Sequence, residues 1–439
     1  MDGGNSYNCD IKVKMRFRNL YIQCLFSCIA MLLFLSCGGN DGNSDPVVPS
    51  EQPRLQVTIF TAGHPVITRA DEGYVSGTDD EEEIHKLQVW VFEHHEGDTE
   101  EERANDGKKV AYLEDLHPMS QLHHNMDGDI LEGTYQLVVS NSFAEAKPNV
   151  DVFVLANGNQ DGLPVLDGNT TRAQLQDALM KKTESADPYG LTTLVTEVPT
   201  ESGVESYGGL PMSGRLNNVK LEGQSPVLNV NKNNPVTVVR TVSKVRFIFS
   251  RKTRTNEDNS EIRITRIELN GGIIPKEEYI FLEEPYTPRA YRVGNSYESA
   301  KVLAKPGDME IEECDTPSKY AYVSQGGLDY EKMIDEGLKG INGDPNKKEL
   351  SQLGLFYFRE SDKPLTGKIH YEIRNGTEVE GKDADFSMRE KNAGDFSRNH
   401  TWIVYGYFAG SDNLEVVSVK INPWVDLKVD DEDHEVYNW

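Results

Sequence analysis

Leu55-Gln56-Val57-Thr58-Ile59 alternates apolar and polar residues without a break. A period of two puts Leu55, Val57 and Ile59 on one face of a β-strand and Gln56 and Thr58 on the other. Gly63-His64-Pro65 bends the run, and Val66-Ile67 extend it towards Arg69. An acidic stretch from Ala70 to Glu83 follows. It lacks the ligand spacing of an EF-hand, so a solvated loop is the better reading.

The same β pattern recurs along the chain. Lys86–Phe92, Tyr135–Ser140 and Val152–Ala156 read as strands, separated by turns such as Asn125-Met126-Asp127-Gly128 and Asn157-Gly158-Asn159. Thr171 is an N-cap for a helix carrying Leu175, Leu179 and Met180 at helical spacing. Residues 223–235 are rich in Gly, Asn and Pro and mark a boundary. Beyond it, Val236–Phe249 reads as a strand pair. Ile262–Leu269, Tyr291–Val293, Lys319–Val323, Gly354–Arg359, Lys368–Ile373 and Thr401–Tyr407 continue the pattern, with a helix at Tyr330–Leu338. Short strands with frequent turns predict an all-β protein of two tandem β-sandwich domains, 54–230 and 231–439, each with a minor helix.

The 439 residues include 72 acidic and 45 basic side chains, a net charge of −27. That excess argues against a nucleic-acid binder, which needs a basic surface. It suits an exported protein that must stay soluble. The N-terminus agrees. Lys12, Lys14, Arg16 and Arg18 precede an apolar run from Leu20 to Leu35, then Ser36-Cys37-Gly38-Gly39. This is the layout of a signal peptide over 1–36, with either Met1 or Met15 as the start. Cys37 after a small residue resembles a bacterial lipobox, although Phe34 and Leu35 fit it loosely; plain secretion is the alternative. Residues 38–53 read as a flexible tether, lipid-anchored through Cys37. Of the five cysteines, Cys9, Cys24, Cys28 and Cys37 lie in the leader or at its end, leaving Cys314 in the body. Stability must therefore come from core packing rather than from an intrachain disulfide framework.

Catalytic motifs are missing. There is no phosphate-binding Gly-rich loop between strand and helix, no His-Glu-x-x-His and no Gly-x-Ser-x-Gly. His94-His95 and His123-His124 read as exposed loop residues. Cys314 follows Glu312-Glu313, which disfavours a thiolate nucleophile. The expectation is a non-enzyme without cofactor or metal.

Several segments, in order, resemble the FimA-type fimbrillins, the pilus subunits of anaerobic Gram-negative bacteria. They are the lipobox-like Cys37, a first strand ending in Thr68-Arg69-Ala70, and Ile84-His85-Lys86-Leu87-Gln88-Val89-Trp90-Val91-Phe92. Val152-Phe153-Val154-Leu155-Ala156-Asn157, the turn Leu210-Pro211-Met212-Ser213-Gly214, Arg240-Thr241-Val242-Ser243-Lys244-Val245 and Val417–Trp424 complete the set. Ser243 stands where the family usually has Ala.

The resemblance implies transthyretin-like sandwiches and a lipoprotein precursor at the outer membrane, acylated at Cys37. It implies that an Arg-specific protease cuts between Arg69 and Ala70 and removes the first strand, 54–69, with Leu55, Val57 and Ile59. Three other Arg-Ala pairs exist, at Arg103, Arg172 and Arg289; position singles out Arg69. A C-terminal strand of another subunit then fills the open core. In residues 414–439, Val417, Val419 and Ile421 share one face, and Val425, Leu427 and Val429 alternate after Pro423-Trp424. The implied partners are other copies of the chain or other fimbrial subunits, and the implied function is a structural pilus subunit supporting adhesion. An accessory, tip or anchor subunit is the close alternative. A surface glycan-binding lipoprotein is the alternative of another class.

Overall fold

The computed structural model describes residues 52–61, 84–96, 104–124, 131–158, 162–181, 195–200, 203–208, 210–230, 235–251, 261–282, 296–304, 321–322, 351–388, 398–408 and 416–423. In chain order the strands are β1 (Arg54–Thr61), β2 (Leu87–His94), β3 (Lys109–Asp115), β4 (His123–His124), β5 (Leu131–Val138), β6 (Asn149–Ala156), β7 (Leu179–Lys181), β8 (Val195–Thr200), β9 (Gly203–Gly208), β10 (Met212–Val219), β11 (Leu221–Gln224), β12 (Val227–Val230) and β13 (Val236–Arg240). They continue with β14 (Ser243–Arg251), β15 (Glu261–Leu269), β16 (Glu277–Tyr279), β17 (Lys301–Ala304), β18 (Ala321–Tyr322), β19 (Ser351–Phe358), β20 (Leu365–Asn375), β21 (Glu378–Met388), β22 (His400–Phe408) and β23 (Val416–Pro423). The helices α1 (Asn141–Ala146) and α2 (Arg172–Gln176) are short. The protein is all-β in class.

Most strands form two groups around separate cores, while β7 pairs with β16 and β8 with β9 as separate two-stranded ladders. In the first, the ladder runs β11-β12-β1-β13-β10-β6-β2-β3, with β5 and β4 attached to the other side of β1. Strand β13 joins the two halves of this ladder, pairing β1 through Val236–Val238 and β10 through Val239–Arg240. One core takes Leu55, Val57 and Ile59 of β1 together with Val89, Val91, Val152 and Val154 of β2 and β6. In the second group, β19-β14-β22-β23 and β17-β15-β20-β21 form separate sheets. Phe247, Phe249, Trp402 and Val404 of one sheet share a core with Ile264, Ile267, Ile369 and Tyr371 of the other.

Strands β2 and β6 are buried along almost their whole length. Their unbroken apolar runs reflect two buried faces rather than one. Leu87, Val89 and Val91 point into the first core, whereas Trp90 and Phe92 join a third cluster with Phe153, Leu155, Leu175, Met180, Ile280, Phe281 and Tyr357. Phe153 meets Phe92 and Phe281 edge-on, at ring separations of 6.0 and 5.3 Å.

Several local expectations need correction. Thr171 caps α2 with a full capping box to Gln174, but the helix ends at Gln176. Leu179 and Met180 belong to β7, which pairs with β16. Residues 223–235 contain much of the β11–β12 hairpin, and β12 is a direct neighbour of β1. Val236 and Val238 pack in the first core, whereas Val245 packs in the second. Leu210–Gly214 is not simply a turn, because β10 begins at Met212. A Cβ on Gly214 would lie 2.4 Å from the Thr237 carbonyl oxygen, so glycine there permits the close crossing of β13. His94 ends β2 with Nδ1 2.8 Å from Asp151, His95 lies 2.9 Å from Glu93, and His123-His124 is strand β4. Tyr291–Val293 and Tyr330–Leu338 lie outside the described residues.

Candidate functional site

Strand β1 is the element on which the fimbrial expectation turns. Its alternation is obeyed: Leu55, Val57 and Ile59 are fully buried, and Gln56, Thr58 and Phe60 are half-buried. Both backbone edges are occupied. On one flank β1 runs antiparallel to β5 over its length, with Leu55 opposite Leu137, Val57 opposite Tyr135 and Ile59 opposite Gly133. On the other it runs parallel to two strands in turn, β12 over Arg54–Val57 and β13 over Ile59–Thr61. Among the described residues, only β1 links the β4–β5 hairpin to the rest of the ladder.

The ends of β1 are fastened as well. The Arg54 amide donates to the Pro226 carbonyl at 2.7 Å, and the Val139 amide donates to Pro53 at 2.9 Å. Thr61 Oγ1 accepts from the Leu131 amide at 3.1 Å. Outward side chains add a Thr58–Thr134 hydroxyl contact at 3.1 Å and an Arg54–Gln136 bond at 2.9 Å. Below β5, Tyr135 is buried with its hydroxyl 3.4 Å from the Pro118 carbonyl. Burial and the Asp115 charge push that phenol's pKa above its usual value. A Cβ on Gly133 would lie 2.7 Å from Leu122 Cδ2, so its absence lets the Leu122 chain cover β5.

Nothing in this arrangement is reactive: the inward face of β1 is aliphatic apart from Thr61. What holds β1 is main-chain hydrogen bonding on two edges and burial of its alternate side chains. Among the described residues, no group of His, Cys, Asp or Glu is placed to hold a metal ion. No helix among them is long and apolar enough to cross a membrane.

Of the remaining expected site residues, Val417, Val419 and Ile421 lie on β23. They pair with Gly406, Val404 and Trp402 of β22 in an antiparallel ladder. Strand β23 is last in its sheet, and Pro423 at its end fits an edge strand. Cys37, Arg69, Ala70, Val425, Leu427 and Val429 lie outside the described residues. One competing Arg-Ala pair is placed: Arg172-Ala173 opens α2. Its guanidinium is held by Asp106 and by Asp151, the latter at 2.8 Å. Burial would raise the Asp106 pKa, but the Arg172 hydrogen bonds and charge, with the His95 amide, hold it below the ordinary 3.8.

Sequence reasoning missed two features around this site. Gln88 and Trp90 donate to the consecutive carbonyls of Leu166 and Asp167, both at 2.8 Å, and so pin the loop before α2 against β2. The parallel pairing of β1 to β12 and β13 also went unread, because no local pattern encodes which strands become neighbours.

Comparison with known proteins gives fold-level likeness only. No family model matches the chain, and no curated protein matches it. Solved structures do match across most of its length. A Parabacteroides distasonis protein described provisionally as a cell adhesion protein has 13% identity and a TM-score of 0.48, covering 84% of this chain and 96% of its own. A fimbrial protein from Bacteroides vulgatus has 10% identity and a TM-score of 0.42, covering 84% and 99%. The fimbrial anchor protein Mfa2 from Porphyromonas gingivalis has 9% identity and a TM-score of 0.32, covering 85% and 98%.

Proposed function

We propose that this chain is a structural subunit of a cell-surface fimbria, built as two tandem transthyretin-like β-sandwiches and assembled by strand exchange. The observation that carries the reading is the place of β1. A strand near the start of the mature chain is fully inserted, paired on both edges and, among the described residues, the sole ladder bridge to the β4–β5 hairpin. Each of its large buried side chains contributes roughly 1.5–3 kcal/mol. Three of them rival the whole stability of a domain, about 5–15 kcal/mol. A core emptied of β1 is therefore strongly driven to take up another strand of the same period.

In this reading the precursor is exported, acylated at Cys37 and carried to the outer membrane. An Arg-specific protease cuts between Arg69 and Ala70, releasing the lipid anchor with β1. The segment 414–439 of a neighbouring subunit then enters the gap, presenting Val417, Val419 and Ile421 or Val425, Leu427 and Val429 where Leu55, Val57 and Ile59 had been. The sequence resemblance supports this order of events, and the alternating pattern of both segments supports their interchange. Limited digestion with an Arg-specific protease, followed by N-terminal sequencing, tests the first step. A stable product beginning at Ala70 is expected; a stable product beginning elsewhere contradicts it.

A further inference from the structure

The two cores are joined by a tongue of chain, Glu277–Phe281. It leaves the second core, and its front face packs in the third cluster, against the outer faces of β2 and β6. Strand β16 pairs with β7, placing Glu278 opposite Met180. The Ile280 amide donates to the Ala178 carbonyl at 3.0 Å. Ser213 of β10 donates to the Ile280 carbonyl at 2.6 Å. Ile280 and Phe281 pack into the cluster built mainly on the outer faces of β2 and β6.

The back of the tongue is held by fully buried charged side chains. Arg398 donates to the carbonyls of Tyr279 at 2.8 Å and Ile280 at 3.1 Å. Its guanidinium also contacts Glu278, and Glu360 at 3.3 Å. Glu278 accepts from the Glu360 amide at 3.1 Å. The root is fixed too: Arg359 Nε donates to the Pro275 carbonyl at 2.9 Å, and Ser361 donates to Ile273 at 2.6 Å. One carbonyl, that of Ile280, thus accepts from Ser213 of the first group and from Arg398 of the second.

Buried ion pairs are a poor means of adding stability, since desolvation offsets most of their attraction, but they specify geometry strongly. From this placement we infer that Glu277–Phe281, backed by Arg398, Glu278 and Glu360, is a clasp that holds the two cores at one fixed orientation. The clasp acts whether or not the chain assembles. In an assembly it would pass load from one core to the other without a hinge.

Hydrogen exchange on the full-length chain tests this. In Arg398→Met, amides of Ala178–Lys181 and Glu277–Phe281 should exchange at least tenfold faster, while β1, β6, β15 and β20 keep their protection. Unchanged exchange in the tongue overturns the inference. So does a loss of protection spread evenly through the second core, since Arg398 would then merely stabilise its own core. Should Arg398→Met fail to fold, Ser213→Ala loosens the same carbonyl from the opposite side. It should raise exchange at Ile280 and in the paired strands β7 and β16 alone; no local rise overturns the inference.

Discussion

Strands β1 and β23 carry the same alternation and occupy opposite kinds of position. Strand β1 is internal, with β5 on one edge and β12 and β13 on the other. Strand β23 lies at the end of its sheet and, among the described residues, pairs only with β22. Binary pattern tells which face of a strand is buried. It does not tell how many neighbours the backbone will have, because hydrogen-bonding partners come from distant parts of the chain. An internal strand is costly to lose and leaves a shaped vacancy. A terminal edge strand, followed by more chain, costs less to release.

That contrast can be broken at several points. The largest effect should come from deleting residues 52–61. The first core would lose Leu55, Val57 and Ile59, and the β4–β5 hairpin its ladder connection through β1, so its cooperative thermal transition should disappear. A synthetic peptide of residues 52–61 added in trans should restore it. By contrast, deleting residues 425–439 should leave the melting temperature of the precursor unchanged and abolish assembly after Arg-specific cleavage, read by light scattering. Assembly by that truncated chain would show that β23 and its extension are not the donor.

Smaller changes sharpen the comparison. Ile59→Ala removes a fully buried side chain and should destabilise the precursor by about 2–5 kcal/mol in chemical denaturation. Once β1 has been cut away, the same substitution should have no effect on the donor-filled subunit. Thr171→Ala removes the cap of α2 and should cost about 1 kcal/mol in both states, because it touches neither strand.

Acid should act in the same modest, shared way. The Asp106 carboxyl titrates below its ordinary 3.8 in the folded chain. Glu114 titrates below its ordinary 4.5: burial opposes the shift, but the Tyr112 hydroxyl and Lys86 outweigh it. For both, the folded pKa is depressed, so their stabilisation is complete above the unfolded value and fades as pH falls through the folded one. The melting temperature should hold down to about pH 5 and fall below pH 4.

Much of the architecture was legible where the signal is local. The alternation of β1, the apolar runs of β2 and β6, the strands β15, β20 and β22, and the Thr171 cap all read directly from neighbouring residues. The errors share a cause. The β11–β12 hairpin hides in Gly-, Asn- and Pro-rich sequence because its burial is supplied by β1, more than 160 residues earlier. Gly214 looked like a turn residue because the close approach of Thr237 is a tertiary fact. His94 looked exposed because its partner Asp151 lies 57 positions away. For β1, sequence pointed to the inward residues but not to the strands that grip it.

The decisive experiment is to lock β1 in place. Gln56 and Gln136 face each other across the β1–β5 ladder with outward side chains. With both replaced by cysteine, a disulfide would tether the cut strand to β5. After cleavage by an Arg-specific protease, electron microscopy should show filaments from the reduced protein and only monomers from the oxidised one. Filaments from the oxidised protein, or none from the reduced, would contradict strand exchange at β1.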